Sequence, residues 1–147
     1  MTLFNGLFTD ILDDMKTYLE AVLDGADRRY PYVFFGPISE GEFFALDAPA
    51  VSIQFNGAVE DPKMPRGWLM DVSIIYIKYD PNFTDDYDVV DDSEVLMDDI
   101  HDHLEAQNIA GKRMYGDLSG ANTYRFDHED SYVFMFEIKA TISRKEV

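Results

Sequence analysis

The residue types that could carry chemistry in this sequence are carboxylates and three histidines. His101 and His103 stand two apart in a stretch with helical spacing. On a helix such positions point about 200° apart, so the two imidazoles are not expected to share an ion. His128 falls in a predicted hairpin turn. Asp80, Asn82, Thr84 and Asp86 resemble the start of a calcium loop, but Asp85 stands where that loop needs glycine and Asp91 where it needs a bidentate glutamate. A solvated acidic surface is the expectation there. Asp71 and Glu137 are the acids flanked by apolar residues, as a general acid with a raised pKa would be, yet each falls on the polar side of its strand. The G-x-S-x-G, H-E-x-x-H, P-loop and G-x-G-x-x-G signatures are absent. No catalytic residue, metal site or cofactor is therefore expected, and the chain is not read as an enzyme.

The balance of charge is the strongest compositional feature. The 147 residues include 29 Asp and Glu against 12 Lys and Arg, a net charge of −17. Such a surface repels phosphate backbones, which argues against ordinary binding to DNA, RNA or an anionic membrane. Eleven Phe, nine Tyr and one Trp argue against disorder, because rings bury large areas. The length suits one domain, read here as residues 1–147. No apolar run is long enough to span a bilayer, and the first ten residues lack the basic region of a secretory leader. The absence of cysteine removes disulfides and thiolate chemistry.

The elements that would position any site follow from periodicity. Leu3, Leu7, Phe8, Ile11, Leu12, Met15, Leu19, Val22 and Leu23 predict an amphipathic helix, with Thr2 as cap and Gly25 as stop. Tyr32–Phe35 is read as a short strand or an anchored loop, Ser39–Glu42 as a turn, and Phe43-Phe44 as core or partly exposed. Val51, Ile53 and Phe55 alternate as a half-buried strand. Asn56 to Gly67, with Pro62 and Pro65, predicts a protruding loop. Trp68 to Tyr79 predicts a strand that outreaches its own core. Between Asp80 and Glu105 there are eleven acids and no Lys or Arg. Val95, Leu96, Ile100 and Leu104 within that stretch predict a second helix from Asp92 to Gln107, capped by Asp91, Asp92 and Ser93. Lys112 to Ala121 is read as a loop or weak edge strand. Thr123–Phe126 and Ser131 onward predict a hairpin around Asp127–Asp130, and Tyr132, Phe134, Phe136, Ile138, Ala140 and Ile142 form one apolar face.

This order predicts an α+β fold: an antiparallel or mixed β-sheet with two helices packed on one face. Two non-enzymatic roles fit such a chain. An acidic DNA mimic would use the net charge directly, by occupying a nucleic-acid-binding protein. An assembly subunit would use the long strand, the Pro-containing loop and the basic spots near Lys63–Arg66 and Lys112–Arg113, which suit contact with an acidic neighbour, including another copy.

The order of elements, with Ala48-Pro49-Ala50-Val51-Ser52-Ile53 opening a short strand, Ile74-Ile75-Tyr76-Ile77 ending a long one, then an acidic helix and the hairpin strand Tyr132-Val133-Phe134-Met135-Phe136-Glu137-Ile138, resembles the tail terminator (tail completion) proteins of long-tailed bacteriophages. The resemblance covers most of the chain as a pattern. It implies a subunit of the virion tail or neck, made in the host cytoplasm, that forms a hexameric ring. That ring would cap the tail tube and join it to the head–tail connector or stopper, with DNA passing through its lumen without specific binding. It carries no catalytic residue and no membrane contact. Another neck subunit, a connector or a stopper, is the nearest alternative. Candidate subunit or tube contacts, chosen for expected exposure, are Lys63, Met64 and Arg66 in the loop, Asp85, Asp86 and Asp88 in the acidic segment, and Lys112 and Arg113.

Overall fold

The structure is a computed structural model that describes residues 6–36, 49–80, 87–106, 108–109, 112–128 and 131–145, with side chains over 6–36, 49–78, 90–104 and 135–143. The predicted turn at Ser39–Glu42 and the pair Phe43-Phe44 lie outside the described residues.

Helix α1 runs from Thr9 to Ala21 and buries Ile11, Met15 and Leu19, the four-residue rhythm read from the sequence. It starts later than expected. Gly6 takes φ +73°, a left-handed conformation, and a side chain there would meet the Asp10 carboxylate at 2.7 Å. Gly6–Phe8 is therefore a turn, and its Leu7 is buried without being helical. The expected cap, Thr2, lies outside the described residues, and no side chain caps Phe8. Gly25 does not stop the helix, which ends at Ala21 with Val22 as its extended C-cap. It sits instead in the tight turn between two-residue strands β1 (Leu23–Asp24) and β2 (Asp27–Arg28). Arg28 folds back to donate to the Glu20 carbonyl at 2.9 Å, as suits a cation at a helix C-terminus.

The main sheet has the order β3-β4-β5-β8-β7-β6. Strand β3 (Tyr32–Phe35) lies parallel to β4 (Ala50–Glu60), so the sheet is mixed. Strand β5 (Gly67–Asp80) is antiparallel to β4 and to β8 (Ser131–Lys145), and β8 is antiparallel to β7 (Lys112–His128). Strand β6 (Asn108–Ile109) pairs with the start of β7. Strands β5 and β7 thus run parallel with β8 between them, and helix α2 (Tyr87–Ala106) makes the crossover.

Several boundaries differ from expectation. Strand β4 does not stop at Asn56. A bulge between Phe55 and Gly57 absorbs the residue, Gly57 takes φ +121°, and pairing resumes to Glu60. The protruding loop shrinks to Asp61–Arg66. Helix α2 begins at Tyr87, so Asp91, Asp92 and Ser93 lie within it rather than at its cap. Of the two readings of Lys112–Ala121 the strand holds: it is the first half of β7, with a register shift between Ser119 and Ala121. The β7–β8 turn is shorter than Asp127–Asp130, since pairing reaches His128 and Ser131.

Both helices cover one face. Ile11, Met15 and Leu19 of α1 and Leu96, Ile100 and Leu104 of α2 pack in a single cluster with Val51 and Ile53 of β4. Met70, Val72, Ile74 and Tyr76 of β5, and Phe136, Ile138, Ala140 and Ile142 of β8, complete it. Paired residues share a face, so Ile53, Ile74 and Ile138 form one apolar row across three strands. The α+β class and the mixed sheet with two helices on one side are as the sequence predicts.

Candidate assembly surfaces

The turn from Asp61 to Arg66 holds three of the predicted contacts. Its shape is set from behind by Asp61, whose side chain is only 8% exposed. One carboxylate oxygen accepts the Lys63 backbone N–H at 2.9 Å and the other accepts the Ser143 hydroxyl at 2.8 Å, which ties the turn to β8. These bonds, the Lys63 N–H first, hold the Asp61 carboxyl below the usual carboxylate range. The Gly67 N–H donates to the Met64 carbonyl and the Asp61 N–H to the Gly67 carbonyl, both at 2.9 Å. Gly67 is required because a Cβ there would meet Met64 at 2.8 Å. Lys63 and Arg66 are exposed on this braced turn and Met64 is half-buried.

The register then places the other predicted cations beside it. Gly67 pairs with Lys145 and Trp68 with Arg144, while Arg144 pairs on its other side with Met114. Lys112 and Arg113, at the start of β7, therefore stand at the same end of the sheet as the β4–β5 turn. Arg144 and Lys145, at the end of β8, stand there too, and the sequence reading missed them. Their signal was the Ser143-Arg144-Lys145 ending of the last strand, but only the pairing shows which end of the sheet that is.

The acidic candidates divide. Asp88 lies in the first turn of α2, whereas Asp85 and Asp86 lie outside the described residues. Helix α2 is held by two clasps, Asp92 to the sheet and Asp99 to the segment just before β3. The buried Tyr76 hydroxyl donates to Asp92 at 2.9 Å, with the Lys78 ammonium 3.5 Å from the same oxygen. The buried Tyr30 hydroxyl donates to Asp99, whose two oxygens also take Arg29 at 3.1 and 3.0 Å. Burial first, and the adjoining carboxylates after it, push both phenols above their ordinary pKa, so they are neutral donors. A shallow recess beside them is lined by Asp24, Arg29, Pro49 and Asp91 among others. Its tyrosines and Asp92 are committed to holding α2, so the recess presents no free nucleophile or general base from that set. Among the described residues no three His, Asp or Glu converge in a way that could hold a metal ion, and no helix is long and apolar enough to cross a membrane.

The two helical histidines diverge as the spacing requires. His101 is exposed. His103 is 3% exposed, stacks on Tyr18 with ring centroids 4.4 Å apart, and leaves Nε2 without a hydrogen-bond partner among the described residues. Burial lowers its pKa against a smaller opposing pull from Asp14. Asp71 is exposed, and Glu137 accepts the Ser73 hydroxyl at 3.0 Å on the face away from the helices. Asp71 lines an open recess with Ala58, Val59, Leu69 and Lys139.

The geometry thus offers a braced turn and a sheet whose register gathers Lys112, Arg113, Arg144 and Lys145 at the end where that turn lies. Comparison with protein-family models and with curated proteins finds no match to this chain.

Proposed function

We propose that this chain is a structural assembly subunit, a tail terminator whose copies close into a ring, sixfold as the resemblance implies. The ring caps the tail tube and meets the connector or stopper on the head side. The observation that carries this reading is the disproportion between sheet and core. Strand β5 has 14 residues, β8 15 and β7 17. Among the residues whose side chains are described, core positions on β5 run from Met70 to Tyr76 and on β8 from Phe136 to Ile142. At about 3.3 Å per residue β5 reaches roughly 45 Å, about twice the length needed to bury that row. Toward the turn, beyond the row of Met70, the overhang exposes Val59 (63%), which pairs with Leu69. A strand that outruns its helices gains little stability from the excess and presents it to neighbours. Acidic residues around a lumen would let DNA pass without sticking.

The test is mass in solution and electron microscopy of the purified chain, with and without tail-tube protein. Rings that bind tube ends support the proposal. Rings that bind only connector protein favour another neck subunit. A monomer that competes with DNA for a basic protein favours the acidic mimic, and a monomer at every concentration with no affinity for tube subunits overturns the terminator reading.

A further inference from the structure

The register that aligns the long strands also sorts charge along them. At one end stand Lys63, Arg66, Lys112, Arg113, Arg144 and Lys145. These are half of the chain's 12 cations, in a molecule with 29 acids. Of the acids flanking the β4–β5 turn, Glu60 is exposed and Asp61 is turned inward onto Ser143. At the other end Asp80 and Asp127 pair with Tyr132 from either side, so all three lie in one row. Helix α2 enters over this end with Asp88 and Asp91 in its first turns, as the bond from Tyr76 to Asp92 requires. Among the cations near this end, Lys78 lies 3.5 Å from Asp92, Arg29 3.0 Å from Asp99 and Arg28 3.5 Å from Glu20, while Arg125 stands two residues before Asp127 on the same strand.

We infer that the basic end of the sheet docks on the acidic end of a second copy, head to tail. Like ends repel, so a two-fold contact through either end is disfavoured, and the complementary contact is heterologous, the kind that generates rings when its rotation closes. Net charge does not prevent it. The ends lie roughly 45 Å apart, while charges are screened over about 8 Å at physiological salt. Each end therefore meets its partner through local charge, and the overall −17 acts only weakly across the gap. The inference names the contact inside the assembly proposed above and rests on that reading for closure into a ring.

The experiment uses two charge-reversed variants of the full chain: Lys63→Glu with Arg66→Glu, and Asp80→Lys with Asp127→Lys. Thermal melts establish that each folds, and Lys63→Ala with Arg66→Ala serves if the first reversal does not. Sedimentation is then followed over concentration. Each reversed variant alone is expected to need at least tenfold more protein than the parent to assemble, and an equimolar mixture of the two to assemble again in alternation. Raising salt toward 1 M is expected to weaken the parent assembly, since screening shortens to about 3 Å. Rings that form undiminished from either variant alone overturn the contact and leave the ring standing. A mixture that fails to assemble overturns the pairing of these two ends. A parent chain that stays monomeric at all concentrations overturns ring and contact together.

Discussion

The two faces of the sheet are made by the same strands and follow different physics. On β5, Met70, Val72, Ile74 and Tyr76 lie under the helices in a continuous apolar layer. The alternate residues Asp71 and Ser73 face the other way, and there burial is achieved by hydrogen bonds between small hydroxyls and their neighbours. Ser73 accepts from the Asn56 amide at 2.7 Å and donates to Glu137, Ser143 donates to Asp61, and Ser52 donates to the Gly36 carbonyl. The covered face contributes stability through area and packing. The other face keeps its groups satisfied without needing a cover, which leaves the strands free to run past the core.

Adjacent residues on β5 test this difference. Ile74→Ala on the covered face should cost about 2–5 kcal/mol, because the helices above it cannot collapse fully into the space, and denaturant melts would measure it. A cost below about 1 kcal/mol would mean that the layer is not packed as described. Tyr30→Phe should cost about 1.5–3 kcal/mol, the range for a hydrogen bond to a charged group, and should loosen α2 in amide exchange with little effect on β8. Ser73→Ala, one residue from Ile74, should cost only about 0.5–1.5 kcal/mol, since Asn56 and Glu137 can turn to water. An equal cost at Ser73 and Ile74 would erase the distinction between the faces.

A graded effect comes from His103. Its folded pKa lies below its unfolded value, so the unfolded chain binds the proton first as pH falls. The stability of neutral His103 is fully present above the ordinary histidine pKa of about 6.5 and declines as pH drops from there toward the lower folded pKa. His103→Phe, which keeps a ring on Tyr18, should flatten that part of a stability–pH profile. An unchanged profile would remove His103 as its cause. The smallest effect on folding is expected from Lys63→Ala, a surface change within about 0.5 kcal/mol.

Much of this was legible in the residues. Ile11, Met15 and Leu19 marked one helix and Leu96, Ile100 and Leu104 the other. The alternation from Phe136 to Ile142 marked β8. The misreadings share a cause, which is that a local signal was overridden by pairing. Asn56-Gly57 reads as a strand end, but a bulge carries β4 past it. Gly116 and Gly120 left a loop and a weak edge strand both open, and pairing with β8 decides for the strand. Asp91, Asp92 and Ser93 read as a cap, but α2 already begins at Tyr87, and Asp92 instead takes the Tyr76 hydroxyl from the sheet. Lys63, Arg66, Lys112 and Arg113 were recognised as contacts one pair at a time. Their convergence with Arg144 and Lys145 depends on antiparallel register, which no spacing in the sequence encodes.

The central claim is that the molecule works by fitting to copies of itself through the ends of its long sheet. Sedimentation equilibrium of the unmodified chain over a wide concentration range addresses it most directly. The account predicts a closed species of several protomers whose population grows with concentration and shrinks with salt. A single protomer mass throughout, unmoved by either variable, would contradict it.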